Sequence, residues 1–286
     1  MSLLARSIDV VLTTLLTRQQ RERLGRHITN VVRGEGNSDP ATNGEYIVLD
    51  SLRRRWNSAG VRPVIFDVGA NVGNWSSKAV TGLKRGADVY AFEPSLETFR
   101  ILSAKSFIKS FNYALGDRAS RARLYVSEES GTAETNTLHK RRAEAFGLKQ
   151  RVGDEVEVKR GDDVAQSLGI SHIDLTKIDT EGNEVAVLRG FSEMLARKEI
   201  DYVQFEYGGT WADSRTLLMD AFDLLLPLGY RLAKIHPAAI QVFERYDQGQ
   251  ETFTFANYLA IREGLLSPGR DSALLPISAL SYQTTE

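Results

Sequence analysis

Four short stretches of this 286-residue chain carry residue types that could hold a charged, ribose-bearing cofactor and move a proton. In "VIFDVGANVGNW", Val64 to Trp75, an apolar run reaches Asp67 and then sets out Gly69, Asn71 and Gly73. Glycine at a strand-to-helix turn lets the backbone lie against a ligand. In "VYAFEPS", Glu93 stands twenty residues beyond Gly73. A carboxylate there, ending a second strand, can accept hydrogen bonds from both hydroxyls of a ribose. In "IDLTKIDTEGNE" the acids Asp179 and Glu181 bracket Thr180, and "QFEYGG" puts Glu206 at the end of a later strand. Acids on that edge of a parallel sheet face the crevice where ligands bind, and a buried acid can be tuned to take a proton from a hydroxyl.

The spacing separates two cofactor classes. A dinucleotide turn reads G-x-G-x-x-G and receives a pyrophosphate at a helix start. Here Asn71 replaces the middle glycine and the next glycine follows after only two residues. The charge of Asp67 opposes a pyrophosphate but suits the ammonium of a methionine moiety. The arrangement therefore favours S-adenosylmethionine. A nicotinamide-dependent oxidoreductase is the competing reading, and a binding module that keeps the pocket without turnover is a third.

Other residues carry weaker signals. Glu184, in the first turn of the helix after "KIDTEG", is assigned mainly to capping and to the helix dipole. His139 in "TNTLHKRR" is either a general base on a substrate lid or a solvated loop histidine. Its neighbours Lys140, Arg141 and Arg142 attract an acidic or phosphorylated acceptor, or form a solvated face. Glu206 and Asp179 with water are compatible with Mg²⁺, which prefers oxygen ligands, but nothing compels it and no metal ligands are assigned. His236, before Pro237, is read as structural.

These side chains must be positioned by alternating elements. "VIFDVG", "DVYAFEP", a segment within "FIKSFNYALGD", "IDLTKIDTEG" and "IDYVQFEYGG" read as strands. "NWSSKAVTGLKRG", "SLETFRILSAKS", "NEVAVLRGFSEMLARK" and "RTLLMDAFDLLLPLG" read as the helices between and after them. "YRLAKIHP" and "FTFANYLAIRE" supply the last two strands. "ARLYVSE" and "EVEVKR" read as strands around a long polar loop, Glu129 to Asp154. Such alternation indicates an open parallel sheet covered on both faces. "EYIVLDSLRRRWNSAG" forms a helix ahead of the first strand, after the turn-rich "GEGNSDPATNG". Further upstream Leu4, Ile8, Val11, Leu12 and Leu15 recur at helical spacing, followed by "RQQRER". That amphipathic helix is expected to pack on the main domain or on a second copy; a lid or a membrane-surface foot is the sharper alternative. The tail after Arg270 has no clear period.

Composition narrows the function classes. Apolar residues make up 42% and charged residues 26%, ordinary for a globular chain. Lys plus Arg number 36 against 37 for Asp plus Glu, so no overall field recruits nucleic acid. The absence of cysteine removes disulfides, thiolate metal sites and a cysteine nucleophile. Arg6 and Asp9 interrupt the apolar N-terminus, which argues against an integral membrane span or a signal-peptide core and for a cytoplasmic protein. Whether the chain forms a homodimer is left open.

Taken in order, "TNGEY", "FDVGANVGNW", "YAFEPSLETF", "NYALGD", "HIDLTKIDTEGNEVAVLRG", "VQFEYGG" and "NYLAI" resemble the FkbM-type methyltransferases, class I enzymes that use S-adenosylmethionine. The resemblance runs over roughly Asn43 to Arg262, with "KIDTEGNEVAVLRG" its most specific phrase. It implies an α/β fold: a doubly wound, seven-stranded, mostly parallel Rossmann-like sheet with its last strand antiparallel. The division it implies is an N-terminal helical extension and linker over 1–42, a methyltransferase domain over 43–270 and a tail over 271–286. Asp67, Gly69, Ala70, Asn71, Gly73 and Asn74 match the cradle of the methionine part, with Glu45 of "TNGEY" as a further ligand. Glu93 and Pro94 match the ribose-binding segment. Asn112, Ala114 and Leu115 would lie beside adenine, while Asp179, Glu181 and Gly182 would face the sulfonium and the acceptor. The implied reaction is O-methylation of a sugar, glycolipid or natural-product hydroxyl, with Asp179, Glu181, Glu206 and His139 as candidate bases. The acceptor is expected to be read by the polar loop and the N-terminal helix.

Overall fold

The computed structural model describes residues 12–127, 136–141, 149–266, 274–277 and 280. Leu4, Ile8, Val11, Arg142, much of the polar loop and most of the tail lie outside them.

The chain enters through helices α1 (Arg18–Arg33) and α2 (Glu45–Ala59). The alternating part follows as β1 (Val64–Val68), α3 (Asn74–Val80), β2 (Asp88–Phe92), α4 (Leu96–Ser103) and β3 (Ile108–Phe111). Three strands then leave the main sheet: β4 (Ala114–Gly116), β5 (Ser120–Ser127) and β6 (Gln150–Arg160). The alternation resumes with α5 (Gly161–Ser167), β7 (Ile173–Ile178), α6 (Glu184–Gly190), α7 (Ser192–Ala196) and β8 (Ile200–Tyr207). Helices α8 (Thr210–Ser214) and α9 (Leu218–Leu225) precede β9 (Tyr230–Ile235), β10 (Ala239–Phe243), β11 (Ala256–Arg262) and β12 (Leu274–Pro276).

Among the described residues the main sheet has nine strands, ordered β12-β10-β9-β11-β8-β7-β1-β2-β3. The run β3-β2-β1-β7-β8 is parallel, and β11 is antiparallel to both β8 and β9. The expected seven-stranded, mostly parallel sheet is thus corrected to a larger mixed one. The addition starts at Pro237, where His236 N donates to Ala239 O at 2.8 Å and turns the chain back as β10. Strand β12 then pairs with β10 from within the tail that showed no period.

Period-2 alternation builds two cores. Phe66, Tyr90, Phe92, Val203 and Phe205 face one side of the sheet, under α6, α7 and α9. Ile65, Val89, Ala91 and Tyr202 face the other, under α2 and α3. Both faces being buried explains why these strands read as apolar runs.

One local expectation changes. "FIKSFNYALGD" holds not one strand but two, because Asn112 Nδ2 donates to the carbonyls of Glu93 and Pro94 at 2.9 and 3.1 Å and the chain after it diverts into β4. The stripe expected from Leu4 to Leu15 precedes α1 and lies largely outside the described residues; within α1 itself no residue is buried. Among the described residues, no helix is long and apolar enough to cross a membrane.

Candidate active site

A cleft of about 480 Å³ opens at the C-terminal ends of β1, β2, β7 and β8. From the residues singled out in the sequence it takes Glu45, Asp67, Gly69, Ala70, Asn71, Asn74, Glu93, Pro94, Ala114, Leu115, Asp179, Glu181 and Glu206 into its lining. Gly73, Asn112, His139 and Gly182 are not in that lining. Gly73 packs behind the turn, where a Cβ would lie 2.6 Å from Leu102 Cδ1. Asn112 pins the segment after β2 through the two carbonyl contacts given above. Gly182 N donates to the Glu184 carboxylate at 3.0 Å, so Glu184 caps the turn ahead of α6. His139 sits beside the cleft with Nε2 3.4 Å from Asn183 Oδ1, and burial lowers its basicity.

The glycine turn is built from the ends of β1, β2 and β7. Gly69 has φ +83°, and a Cβ on it would lie 1.8 Å from the Asp179 carbonyl, so only glycine lets β1 and β7 close here. The amides of Gly69 and Ala70 donate to Phe92 O at 2.9 and 3.1 Å. Asn71 takes φ +49°, a left-handed conformation that asparagine tolerates better than most side chains. Its N–H donates to Glu93 Oε2 at 2.8 Å, while Ser95 N holds Oε1 at 2.8 Å. Burial raises the Glu93 pKa against those bonds and one from the Thr98 side chain, and the carboxylate keeps acceptor capacity for a ligand.

A buried cation lies between the acids of the floor. Lys177 Nζ donates to Asp179 Oδ2 at 2.7 Å and stands 5.5 Å from the Trp75 ring centroid. Burial alone would lower its pKa, yet Asp179, Glu45 and Asp67 together hold it above the ordinary lysine value. Burial raises the pKa of both Glu45 and Asp67. Asp67 Oδ2 accepts from Ser76 at 2.6 Å, whereas Asp67 Oδ1 and Glu45 Oε1 are buried with no hydrogen-bond partner among the described residues. Three carboxylates around one ammonium, two of them with an unused oxygen, fit a cationic ligand group such as the amine of S-adenosylmethionine. Lys177 carries no signal of its own within "KIDTEG", since its partners Glu45 and Asp67 are far away in sequence.

One carboxylate oxygen from each of Asp179, Glu181 and Glu206 falls within 4.8 Å of the others. Two of the three have cationic partners: Lys177 for Asp179 and Arg141 for Glu181. The Glu181 backbone is left-handed at φ +57°, and Thr137 Oγ1 donates to its carbonyl at 2.7 Å. Burial pushes the Glu181 carboxyl up to about 7 despite Arg141. Glu206 has no side-chain hydrogen bond or ion pair among the described residues, and burial with Asp179, Glu181 and Glu184 nearby pushes it well above the usual range.

The strand order with a reversed β11, and a cleft at the carboxyl edge of the parallel strands, define a Rossmann-like methyltransferase fold with a mixed sheet. The chain belongs to the FkbM methyltransferase family: residues 67–232, more than half of it, match the Methyltransferase FkbM domain. It is 26% identical over 177 residues to the hexuronic acid methyltransferase AglP of Haloferax volcanii, covering 60% of this chain and 68% of that protein. It is 26% identical over 154 residues to the 2-O-methyltransferase NoeI of Sinorhizobium fredii, covering 50% and 63%. A solved FkbM methyltransferase from Methylobacillus flagellatus superposes with a TM-score of 0.43 at 15% identity, covering 69% of this chain and 43% of that one. The chain therefore spans less than two thirds of NoeI and less than half of the M. flagellatus protein.

Proposed function

We propose that the chain is an S-adenosylmethionine-dependent O-methyltransferase whose acceptor is a hydroxyl of a sugar, a glycolipid or a similar natural product. The observation that carries this reading is Glu206, a carboxylate in the cleft with a raised pKa, set beside Asp179 and across from the glycine turn. Its companions in that reading are the printed names of the relatives, one acting on hexuronic acid and one at a 2-O position.

When bound, S-adenosylmethionine supplies an electrophilic methyl group on a sulfonium. Asp67 and Glu45 would hold its amine, the turn from Gly69 to Asn74 its methionine part, and Glu93 with Pro94 its ribose. Ala114 and Leu115 would flank the adenine, with Asn112, Gly73 and Gly182 shaping the walls from behind. Glu206 takes the proton of the acceptor hydroxyl, a role that a raised carboxylate pKa suits. Asp179, fixed by Lys177, orients the hydroxyl, and Glu181 with Arg141 closes the side nearest the acceptor. His139 stands outside this set, held by Asn183. The domain that does this is taken as 43–270, with 1–42 as an extension and 271–286 as a tail.

The test is an acceptor screen. The protein and S-adenosylmethionine are incubated with hexuronic acid glycosides, neutral glycosides and glycolipids, and methylated products are sought by mass spectrometry. A methyl ether on a sugar hydroxyl is expected. Transfer to nitrogen or carbon acceptors, with none to any hydroxyl, overturns the reading.

A further inference from the structure

We propose that α1 lies flat on an anionic membrane surface and docks the protein there. Its apolar residues are turned to solvent: Leu24, Ile28, Val31 and Val32 are 38%, 54%, 65% and 74% exposed. At 3.6 residues per turn the steps 24, 28, 31 and 32 fall on one side of the helix. Contact with the body comes instead from the helix end, where Arg33 donates to the Gly249 carbonyl and pairs with Glu35 at 3.5 Å. A stripe left uncovered by the described residues on a well-capped helix is unusual for a water-facing surface. The capping is complete, with Thr17 and Gln20 bonded to each other's amides at 2.8 and 3.3 Å.

Charge selects the occupant of that stripe. The helix carries Arg18, Arg21, Arg23, Arg26 and Arg33 against a single acid, Glu22, although the whole chain has a net charge of -1. Glu22 already pairs with Arg18 at 2.9 Å. A second copy of α1 set against the first would bring two arginine-rich rows together with no spare acid between them. Anionic headgroups supply the missing negative charge, and arginine stems reach from the apolar boundary to the phosphates. With 16 residues and this charge the helix suits the interface plane rather than the bilayer interior.

The location gives docking a consequence. Only Gly34 to Asn37 separate α1 from Ser38, which lines the cleft with Pro40. A bilayer under α1 therefore lies a few residues from the cleft mouth, within reach of an acceptor carried on a lipid. That last consequence rests on the methyl-transfer reading, whereas the docking does not.

Co-sedimentation of the full chain with vesicles tests it, comparing phosphatidylcholine alone with phosphatidylcholine containing phosphatidylglycerol. Binding is expected only to the anionic vesicles and should weaken with salt. Replacing Arg21, Arg23 and Arg26 by Ser should weaken it by about fivefold per arginine. Ile28→Asp with Val32→Asp should abolish it while circular dichroism and S-adenosylmethionine binding stay as in the parent, since these side chains are exposed. Equal retention on both vesicle types, or vesicle binding untouched by the double aspartate variant, overturns the proposal. So does a dimer in sedimentation velocity that the double variant dissociates, since the stripe would then belong to a second copy.

Discussion

Strands β7 and β8 carry a three-residue ionisable cluster at each end. At the carboxyl edge stand Asp179, Glu181 and Glu206; at the opposite edge stand His172, Asp174 and Asp201, each set within 4.8 Å. What differs is the supply of partners. Asp201 accepts from Arg262 at 2.8 Å and lies 3.5 Å from His172; despite burial these two hold its carboxyl below the usual range. Asp174 accepts from the Val64 amide at 2.8 Å. Glu206 has neither kind of help among the described residues and faces the cleft, so its carboxyl is pushed up. Counting ionisable groups would make the two ends equal; counting partners makes one a brace and the other a candidate site.

The comparison is broken most directly by exchanging one acid at each end. Glu206→Gln should lower turnover by about 10²- to 10⁴-fold, the range of a lost general base, while titrated S-adenosylmethionine affinity stays within a few-fold. Asp201→Asn should leave turnover near the parent value and lower only stability. If both lose turnover alike, the two clusters are not different in kind.

Removing the cation from each end comes next. Lys177→Met leaves Glu45, Asp67 and Asp179 facing one another, and should cost about 3–5 kcal/mol in urea unfolding, as for a broken buried ion pair. Arg262→Met deprives a partly exposed acid of one charged hydrogen bond and should cost about 1–3 kcal/mol. Equal losses would show that the floor of the cleft is no more strained than the brace.

The pH dependence sharpens the contrast further. A base must be deprotonated to act, so turnover should fall as pH drops through its pKa. With burial and the neighbouring acids holding the Glu206 carboxyl well above its usual range, the acidic limb of kcat should lie above the ordinary carboxylate range. A limb in the ordinary carboxylate range contradicts the burial argument. At the other edge the hydrogen bond to Asp201 raises the His172 pKa. That contribution is fully present below the unfolded value of about 6.5, and it is lost as pH rises through the folded value. Thermal unfolding measured across that window should show a small downward slope that His172→Gln removes.

Much of this was readable from the chain alone, for physical reasons that also mark where reading stopped. "VIFDV" and "DVYAF" are buried on both faces and so stand out as apolar runs. Glu93, Asp179 and Glu206 announce themselves as polar residues at the ends of such runs. Lys177 does not, because its meaning comes from Glu45 and Asp67, which only folding brings near. The pairing of β4 with β6 and the added β10 and β12 depend on turns at Asn112 and Pro237 that carry no periodic signal. In α1 the residues Leu24, Ile28, Val31 and Val32 follow the polar "RQQRER", and only the fold shows that they share a face and look outward.

Isothermal titration of S-adenosylmethionine into the parent chain and into Glu93→Ala tests the central claim most directly. Binding to the parent is expected, weakened by about 10- to 100-fold in the variant through loss of charged hydrogen bonds to the ribose. No binding to the parent, or equal affinity in both, would contradict the assignment of this cleft to the methyl donor.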